Sequence, residues 1–324
     1  MNVSIRRRRS GSMGRNLIPG PIRDRDGWKP YRGSAVSIDA MVKIKRAAKY
    51  GFCSGVRIAD LKVKRFAAGG GTGAILGQVV HNERVVQEME SLGVRTVEGL
   101  DAVEEPTIIF SAHGVPPSFH EKARESGLKV LDTTCKFVYD IHRESKQALE
   151  AGYHLIFIGD PRHREVIGYT NDLDPGTYHV VSTIAEAEAV DWGRYDRLKI
   201  FYQTTLNAEE YEDVVRLIET RSGGVERGDT ICYATKENQE AARVLAADPE
   251  VEVIIVVGGR KSANTKHLWD ICKEHKRSYL IQGADDIQAE WLRAVRGVGL
   301  TAGASTPDYV IDEVEQRIQG LSTE

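Results

Sequence analysis

Three cysteines stand in near-equivalent settings far apart in the chain: Cys53 in GFCSGV, Cys135 in LDTTCKFV and Cys232 in DTICYAT. They are 82 and 97 residues apart, each span about the size of a small α/β lobe. In each case a β-like run precedes the cysteine and a helical pattern follows it. This predicts three lobes, each presenting one thiolate to a shared centre. Three thiolates suit an iron–sulfur cluster with one iron left open for substrate, because a fourth would complete the coordination. An open coordination position marks a catalytic metal centre rather than a structural one. Zinc is the competing reading, but structural zinc usually draws on close pairs such as C-x2-C, and the sequence has none. Cys272, in LWDICKEHK, reads as a small buried hydrophobe.

A second group of polar residues falls where strand-like runs give way to helices. His81, His113 and His163 occupy equivalent positions of this kind, which favours a site for an anion such as phosphate. Ser262 and Asn264 in GGRKSANT, and Ser305 in STP, add short donors beside glycines, suited to close backbone approach to phosphate. Any one of these could serve only as a helix cap. Glu165 in HRE is the carboxylate in these motifs that could deliver protons if it faces the cleft. Thr204, at the end of LKIFYQTT, could relay a proton or cap a helix.

The elements that must position these residues repeat. Strand-like runs at 42–48, 73–80, 107–114, 128–134, 154–160, 198–205, 251–259 and 297–303 alternate with helical patterns. Asn82 is placed to cap the helix after His81, and Pro116 and Pro117 to open the next one. Near-continuous apolar strands alternating with helices predict an α/β fold with parallel sheets covered on both faces. Ligands of such sheets bind beyond the carboxyl ends of the strands. Helix N-termini there favour anions, and the same field lowers thiol pKa.

The 324 residues are enough for two or three small domains. Cys135 and Cys232 divide the body into lobes at 42–134, 135–231 and 232–324, with the first strand free to join the third. Four cysteines in a chain this long make no secreted disulfide framework, so the expected compartment is a reducing cytoplasm. No apolar run approaches the roughly 20 residues of a membrane helix. Net charge of −3 gives no overall bias toward nucleic acid. Residues 1–41 differ: Arg6, Arg7, Arg8 and Arg9 precede Gly-, Pro- and Ser-rich sequence without the apolar stretch of a secretory signal. They read as a disordered tail, or as sequence upstream of a start at Met41.

Taken together the motifs resemble the LytB/IspH family of 4-hydroxy-3-methylbut-2-enyl diphosphate reductases. Those carrying the resemblance are GFCSGV, VVHN, FSAHG, DTTC, HREVIG, QTTL, DTICYAT, SANT and TAGASTP, in the family's order from about residue 42 onward. The resemblance implies three α/β lobes in a pseudo-threefold arrangement around one [4Fe–4S] cluster per chain. Cys53, Cys135 and Cys232 match its ligands, leaving one iron without a cysteine. It assigns catalysis to Glu165, Thr204 and His163, with Glu165 as proton donor. Substrate binding falls to His81, His113, His163, Thr204, Ser262, Asn264 and Ser305. The implied reaction removes an allylic hydroxyl from a small diphosphate with two electrons and two protons. It gives isopentenyl and dimethylallyl diphosphate, the last step of the non-mevalonate route. An electron donor of ferredoxin or flavodoxin type is implied, and neither membrane nor nucleic acid.

Four positions depart from the family pattern. Lys136 and Arg164 stand where prolines are usual, Asp160 where a histidine is frequent, and Ala263 where a serine is common. They bear on affinity and rate more than on reaction type. An aconitase-like hydro-lyase is the alternative chemistry, and it would need no reductant. A non-catalytic redox sensor with the arginine run as a nucleic-acid arm is a third reading.

Overall fold

The computed structural model describes residues 42–321, and the readings of the arginine run and of Met41 lie outside the described residues. The described chain opens with β1 (Lys43–Arg46) and α1 (Ser54–Ala68). Then follow β2 (Gly73–Leu76), α2 (Glu83–Ser91), β3 (Val94–Val97), β4 (Thr107–Phe110), α3 (Pro117–Glu125) and β5 (Lys129–Asp132). The next stretch contains α4 (Lys136–Glu150), β6 (His154–Ile158), α5 (Arg164–Thr170), β7 (Tyr178–Val181), α6 (Ile184–Glu188), β8 (Leu198–Tyr202), α7 (Glu212–Arg221) and β9 (Val225–Arg227). The last contains α8 (Tyr233–Ala247), β10 (Val253–Val257), α9 (Ala263–His275), β11 (Arg277–Ile281), β12 (Gly297–Ala302) and α10 (Asp308–Leu321).

The strands form three four-stranded sheets, ordered β3-β2-β4-β5, β7-β6-β8-β9 and β11-β10-β12-β1, and every strand pairing is parallel. The three orders are the same, except that the fourth place in the last sheet is taken by the first strand of the chain. Lys43 pairs with Gly297 there. The pseudo-threefold α/β architecture expected from the sequence is thus present.

Each sheet has an apolar layer on both faces, which follows from the period of two in strand side chains. In β6, Leu155 and Phe157 pack with Val138 and Ile141 of α4, while Ile156 and Ile158 pack with Val215 and Ile218 of α7. In β10, Ile254 and Val256 meet α8 and α9, while Val253, Ile255 and Val257 meet α10. In β2, Ile75 faces α1 and α2, while Ala74 and Leu76 face the side of α3. Each such Ile, Val, Leu or Phe contributes about 1.5–3 kcal/mol when fully buried.

Local signals set the helix starts. Asn82 caps α2 by accepting from the Arg84 and Val85 N–H groups at 3.0 and 3.4 Å, and Pro117 opens α3. A strand over the whole of 73–80 does not form. It stops at Leu76 because Gly77, at φ +70°, turns the chain while its N–H reaches the Val97 carbonyl at 2.7 Å. Residues 78–81 therefore form a loop, and His81 is carried beyond the sheet edge. Strands β3, β7, β9 and β11 were not apparent from sequence. All are edge strands with exposed or half-exposed positions, such as VRTV and YHVV, so they lack the continuous apolar run of their inner neighbours.

Candidate active site

Each of the three cysteines marks a crossover from one sheet to the helix of the next lobe. Cys53 lies between β1 of the third sheet and α1, which packs on the first. Cys135 lies between β5 and α4, and Cys232 between β9 and α8. Each is the N-cap of a 15-residue helix with extended backbone. Each backbone N–H is pinned to a loop carbonyl of the preceding lobe: Cys53 to Ala304, Cys135 to Ala112 and Cys232 to Thr204, at 3.0–3.1 Å. Those carbonyls neighbour Ser305 and His113, or belong to Thr204 itself. One hydrogen bond per lobe therefore fixes a thiol beside a residue of the second polar group.

All eleven sequence-selected residues line one cavity: Cys53, Cys135, Cys232, His81, His113, His163, Glu165, Thr204, Ser262, Asn264 and Ser305. Cys272 is buried among apolar residues of α8, α9 and β10, and burial pushes its thiol up to about 12.

The thiols accept little help from the protein. Val56 N–H points at Cys53 Sγ and Thr235 N–H at Cys232 Sγ, both at 3.4 Å, and the Thr235 hydroxyl lies 3.1 Å from Cys232 Sγ. Burial nevertheless pushes Cys53 up to about 11 and raises Cys135 and Cys232, and charge on neighbouring thiols adds to this for Cys53 and Cys135. The lowering expected from the helix N-termini is outweighed by desolvation of three mutually repelling thiolates. Such a set is stable as thiolates only around positive charge. Among the described residues no group of three or more His, Cys, Asp or Glu converges tightly enough to hold a single metal ion. Instead the thiols border a gap kept open by Gly55, where a Cβ would stand 2.6 Å from Cys135 Sγ and 3.9 Å from Cys53 Sγ. A group larger than one ion, bearing positive iron and binding soft sulfur, fits that donor set.

The three histidines come from the loops after β2, β4 and β6 and meet as a triad. Ring centroids are 4.3 Å apart for His81 and His113, 5.5 Å for His81 and His163, and 5.9 Å for His113 and His163. Burial holds His81 and His163 down at about 4 and His113 well below the ordinary range, and His81 and His113 are lowered further by their ring neighbours and Arg164. At neutral pH they are uncharged N–H donors, and an anion among them would favour their protonated forms. His113 Nδ1 is buried without a partner, as are both side-chain polar atoms of Asn264. Buried polar atoms are rarely left unpaired, and His113 and Asn264 both line the cavity, so these atoms suit a polar ligand there. Ser262 caps α9, accepting from Thr265 N–H at 3.3 Å, so the N-terminus of that helix opens into the cavity beside Asn264. Ser305 donates to the His81 carbonyl at 3.4 Å, tying the third lobe to the first.

Glu165 is 3 % exposed and lies in the first turn of α5, whose N-cap is His163. Its carboxyl receives the Thr204 hydroxyl at 2.8 and 2.9 Å, the Thr204 N–H at 3.0 Å and the Tyr169 hydroxyl at 3.5 Å. Burial pushes it up to about 7 despite those donors, so it exchanges a proton readily at physiological pH. Sequence reasoning missed Tyr169 and Thr235. The readable signals were Glu-x3-Tyr, one helical turn apart, and Cys-x2-Thr, the spacing of a cap.

The family model described as LytB protein matches residues 44–319. A relative from Aquifex aeolicus, a 4-hydroxy-3-methylbut-2-enyl diphosphate reductase, is 39% identical over 286 residues, covering 87% of this chain and 97% of its own. A reductase of the same name from Alkaliphilus oremlandii is 37% identical over 284 residues, covering 86% and 100%. A solved structure of (E)-4-hydroxy-3-methyl-but-2-enyl diphosphate reductase, described as the terminal enzyme of the non-mevalonate pathway, has 38% identity and a TM-score of 0.65, covering 86% of this chain and 100% of its own. The corresponding reductase of Plasmodium falciparum has 27% identity and a TM-score of 0.79, covering 85% and 87%.

Proposed function

The chain belongs to the LytB family, and from that premise we propose how its cavity performs the family's reaction. It is an oxidoreductase that converts 4-hydroxy-3-methylbut-2-enyl diphosphate to isopentenyl and dimethylallyl diphosphate. The observation that carries the reading is the meeting of three lobe-crossing cysteines, a histidine triad and a buried carboxyl in one cavity. Cys53, Cys135 and Cys232 would hold one [4Fe–4S] cluster per chain with one iron free of cysteine. When bound, it supplies electrons one at a time and Lewis acidity toward the substrate hydroxyl.

The protein's own residues bind, orient and protonate. His81, His113 and His163 take the diphosphate oxygens from one side. Ser262, Asn264, Ser305 and the first turn of α9 take them from the other, where the helix dipole favours the anion. That anchoring fixes the five-carbon skeleton, so binding energy far from the C–O bond serves the reacting end. Glu165 delivers a proton to the leaving hydroxyl, which departs as water. Thr204 holds the carboxyl by both its N–H and its hydroxyl and keeps it facing the cavity. Two electrons and two protons balance the loss of water and the new C–H bond.

The lobe boundaries that fit this are 42–134, 135–231 and 232–324, with β1 completing the third sheet. A ferredoxin or flavodoxin supplies the electrons, and the cytoplasm is the compartment. No described helix is long and apolar enough to cross a membrane. A hydro-lyase of the aconitase kind finds no support among the relatives, which are reductases. The test is anaerobic iron and sulfide analysis with EPR, paired with turnover. Four irons per chain and conversion only with reductant are expected. Conversion without reductant, or a chain that binds no iron, overturns the reading.

A further inference from the structure

One residue beyond each cysteine the chain reaches solvent: Ser54, Lys136 and Tyr233 are all exposed. These three points belong to one surface. The Ser54 and Tyr233 hydroxyls lie 2.8 Å apart, and the Tyr233 ring packs on Phe137 with centroids at 5.4 Å. Lys62 Nζ reaches the Asp132 carbonyl at 3.0 Å, and Tyr139 donates its hydroxyl to the Asp132 carboxylate. The side chains at the middle are apolar and open to water, with Ile58 54 % exposed, Leu61 44 %, Tyr139 45 % and Tyr233 46 %. Ile58, Leu61 and Lys62 lie on one stripe of α1, at spacings of three and four.

The charge of this surface is local. The exposed stripe of α1 carries Lys62 and Arg65 and no acid, beside Arg57, which pairs with Asp308 at 3.1 Å, on a chain whose net charge is −3. Lys62 donates to a carbonyl rather than to a carboxylate, so its charge remains to attract. On an acidic protein such a patch steers an acidic partner and leaves most others unattracted. The reaction consumes two electrons per turnover, which must arrive from outside the substrate cavity. On this face the residue following each of the three cysteines is exposed.

We propose that the rim around the three cysteines, centred on Ile58, Leu61 and Lys62 of α1 with Tyr139 and Tyr233, is the docking face for a small acidic one-electron carrier protein. The proposal rests on the reductase reading of the same site. Each encounter oxidises one carrier and passes one electron inward. Two encounters with two protons reduce one substrate, breaking its C–O bond, forming one C–H bond and releasing water. Electron-transfer complexes are weak and bury less than about 1,200 Å², so a few apolar side chains inside a cationic rim suffice.

The test uses the full chain loaded anaerobically and an acidic [2Fe–2S] ferredoxin as probe, titrated calorimetrically at low and at high salt. Lys62→Glu and Leu61→Asp should each weaken ferredoxin binding about tenfold at low salt. The Lys62→Glu difference should shrink at high salt, where surface charges are screened. Both variants should keep turnover driven by reduced methyl viologen while losing turnover driven by ferredoxin. Lys273→Glu, on α9 outside this face, should leave both unchanged. Unaltered ferredoxin affinity in the two α1 variants overturns the proposal, as does equal weakening in Lys273→Glu. A parallel loss of viologen-driven turnover also overturns it, because Lys62 and Leu61 would then support the site itself. Failure of the unmodified chain with viologen would instead strike the reductase reading, while the binding titration still judges the face.

Discussion

Replacing Glu165 by Gln changes the charge of the most buried carboxyl in the cavity and little else. The amide keeps the length of the side chain and can still accept the Thr204 N–H, while the Thr204 hydroxyl turns to accept from the amide nitrogen. Two readouts follow. The first is stability. Glu165 titrates near 7 in the fold against an ordinary 4.5, and one pH unit of such a difference is worth about 1.4 kcal/mol. A pKa raised by folding stabilises the protein fully below 4.5, and that contribution fades as pH rises through 7. Holding the charged form therefore costs the fold about 3 kcal/mol above pH 7. In the iron-free protein, urea unfolding at about pH 5 and about pH 8.5 should show Glu165→Gln gaining about 2–3 kcal/mol on the unmodified chain between the two. The second readout is turnover with a chemical reductant, expected to fall by about 10²–10⁴-fold, the usual worth of general acid catalysis. Diphosphate affinity should change by less than about threefold, since the anchors lie elsewhere. A stability difference independent of pH would refute the buried titration. Turnover within about tenfold of normal would give proton delivery to another group.

Cys53→Ser, Cys135→Ser and Cys232→Ser should each leave the chain without stable iron, whereas Cys272→Ser should retain it, as read by anaerobic iron and sulfide content. Gly55→Ala should fold with unchanged circular dichroism, because the position is helical, yet lose most of its iron to the Cβ placed against Cys135 Sγ. Thr204→Val removes one hydrogen bond to a carboxylate, worth about 1.5–3 kcal/mol, so the alkaline limb of the pH–turnover profile should move up by about one pH unit or more. An unmoved limb would show that Thr204 does not govern the proton on Glu165. A chain starting at Val42 should load iron and turn over like the full chain, because the family match begins at residue 44.

These inner strands were legible because apolar residues dominate them: GAIL, TIIF, HLIFI and VIIVV are buried throughout. Of the edge strands β1 and β5 were legible but β3, β7, β9 and β11 were not, because a half-exposed strand such as VRTV or RSYLI carries polar residues at a period a loop also shows. The site residues could be found because each sits at a strand-to-helix passage, a place fixed by the topology. Their electrostatics could not. The helix N-terminus at Cys53 suggested a depressed thiol pKa, and only the packing of Cys135 and Cys232 around it shows that desolvation prevails. Tyr169 escaped because its tie to Glu165 depends on a burial that no single sequence window reveals.

The pairing of β1 with β12 has a consequence for how the chain is made. Lys43 waits for Gly297, which lies 254 residues further on. At about 5–20 residues per second the ribosome needs about 13–50 s to supply it. By the end of that interval the first two sheets have all their strands, while β1 is still unpaired. Its sequence, KIKR, is three-quarters cationic, and lysines on a lone strand discourage pairing with a stranger's edge. Cys53 is likewise held only when Ala304 arrives. With Cys53 as a cluster ligand, as proposed, iron loading would follow the arrival of β12, and a chain released short of it would retain two sheets without the third lobe's hold on that thiol.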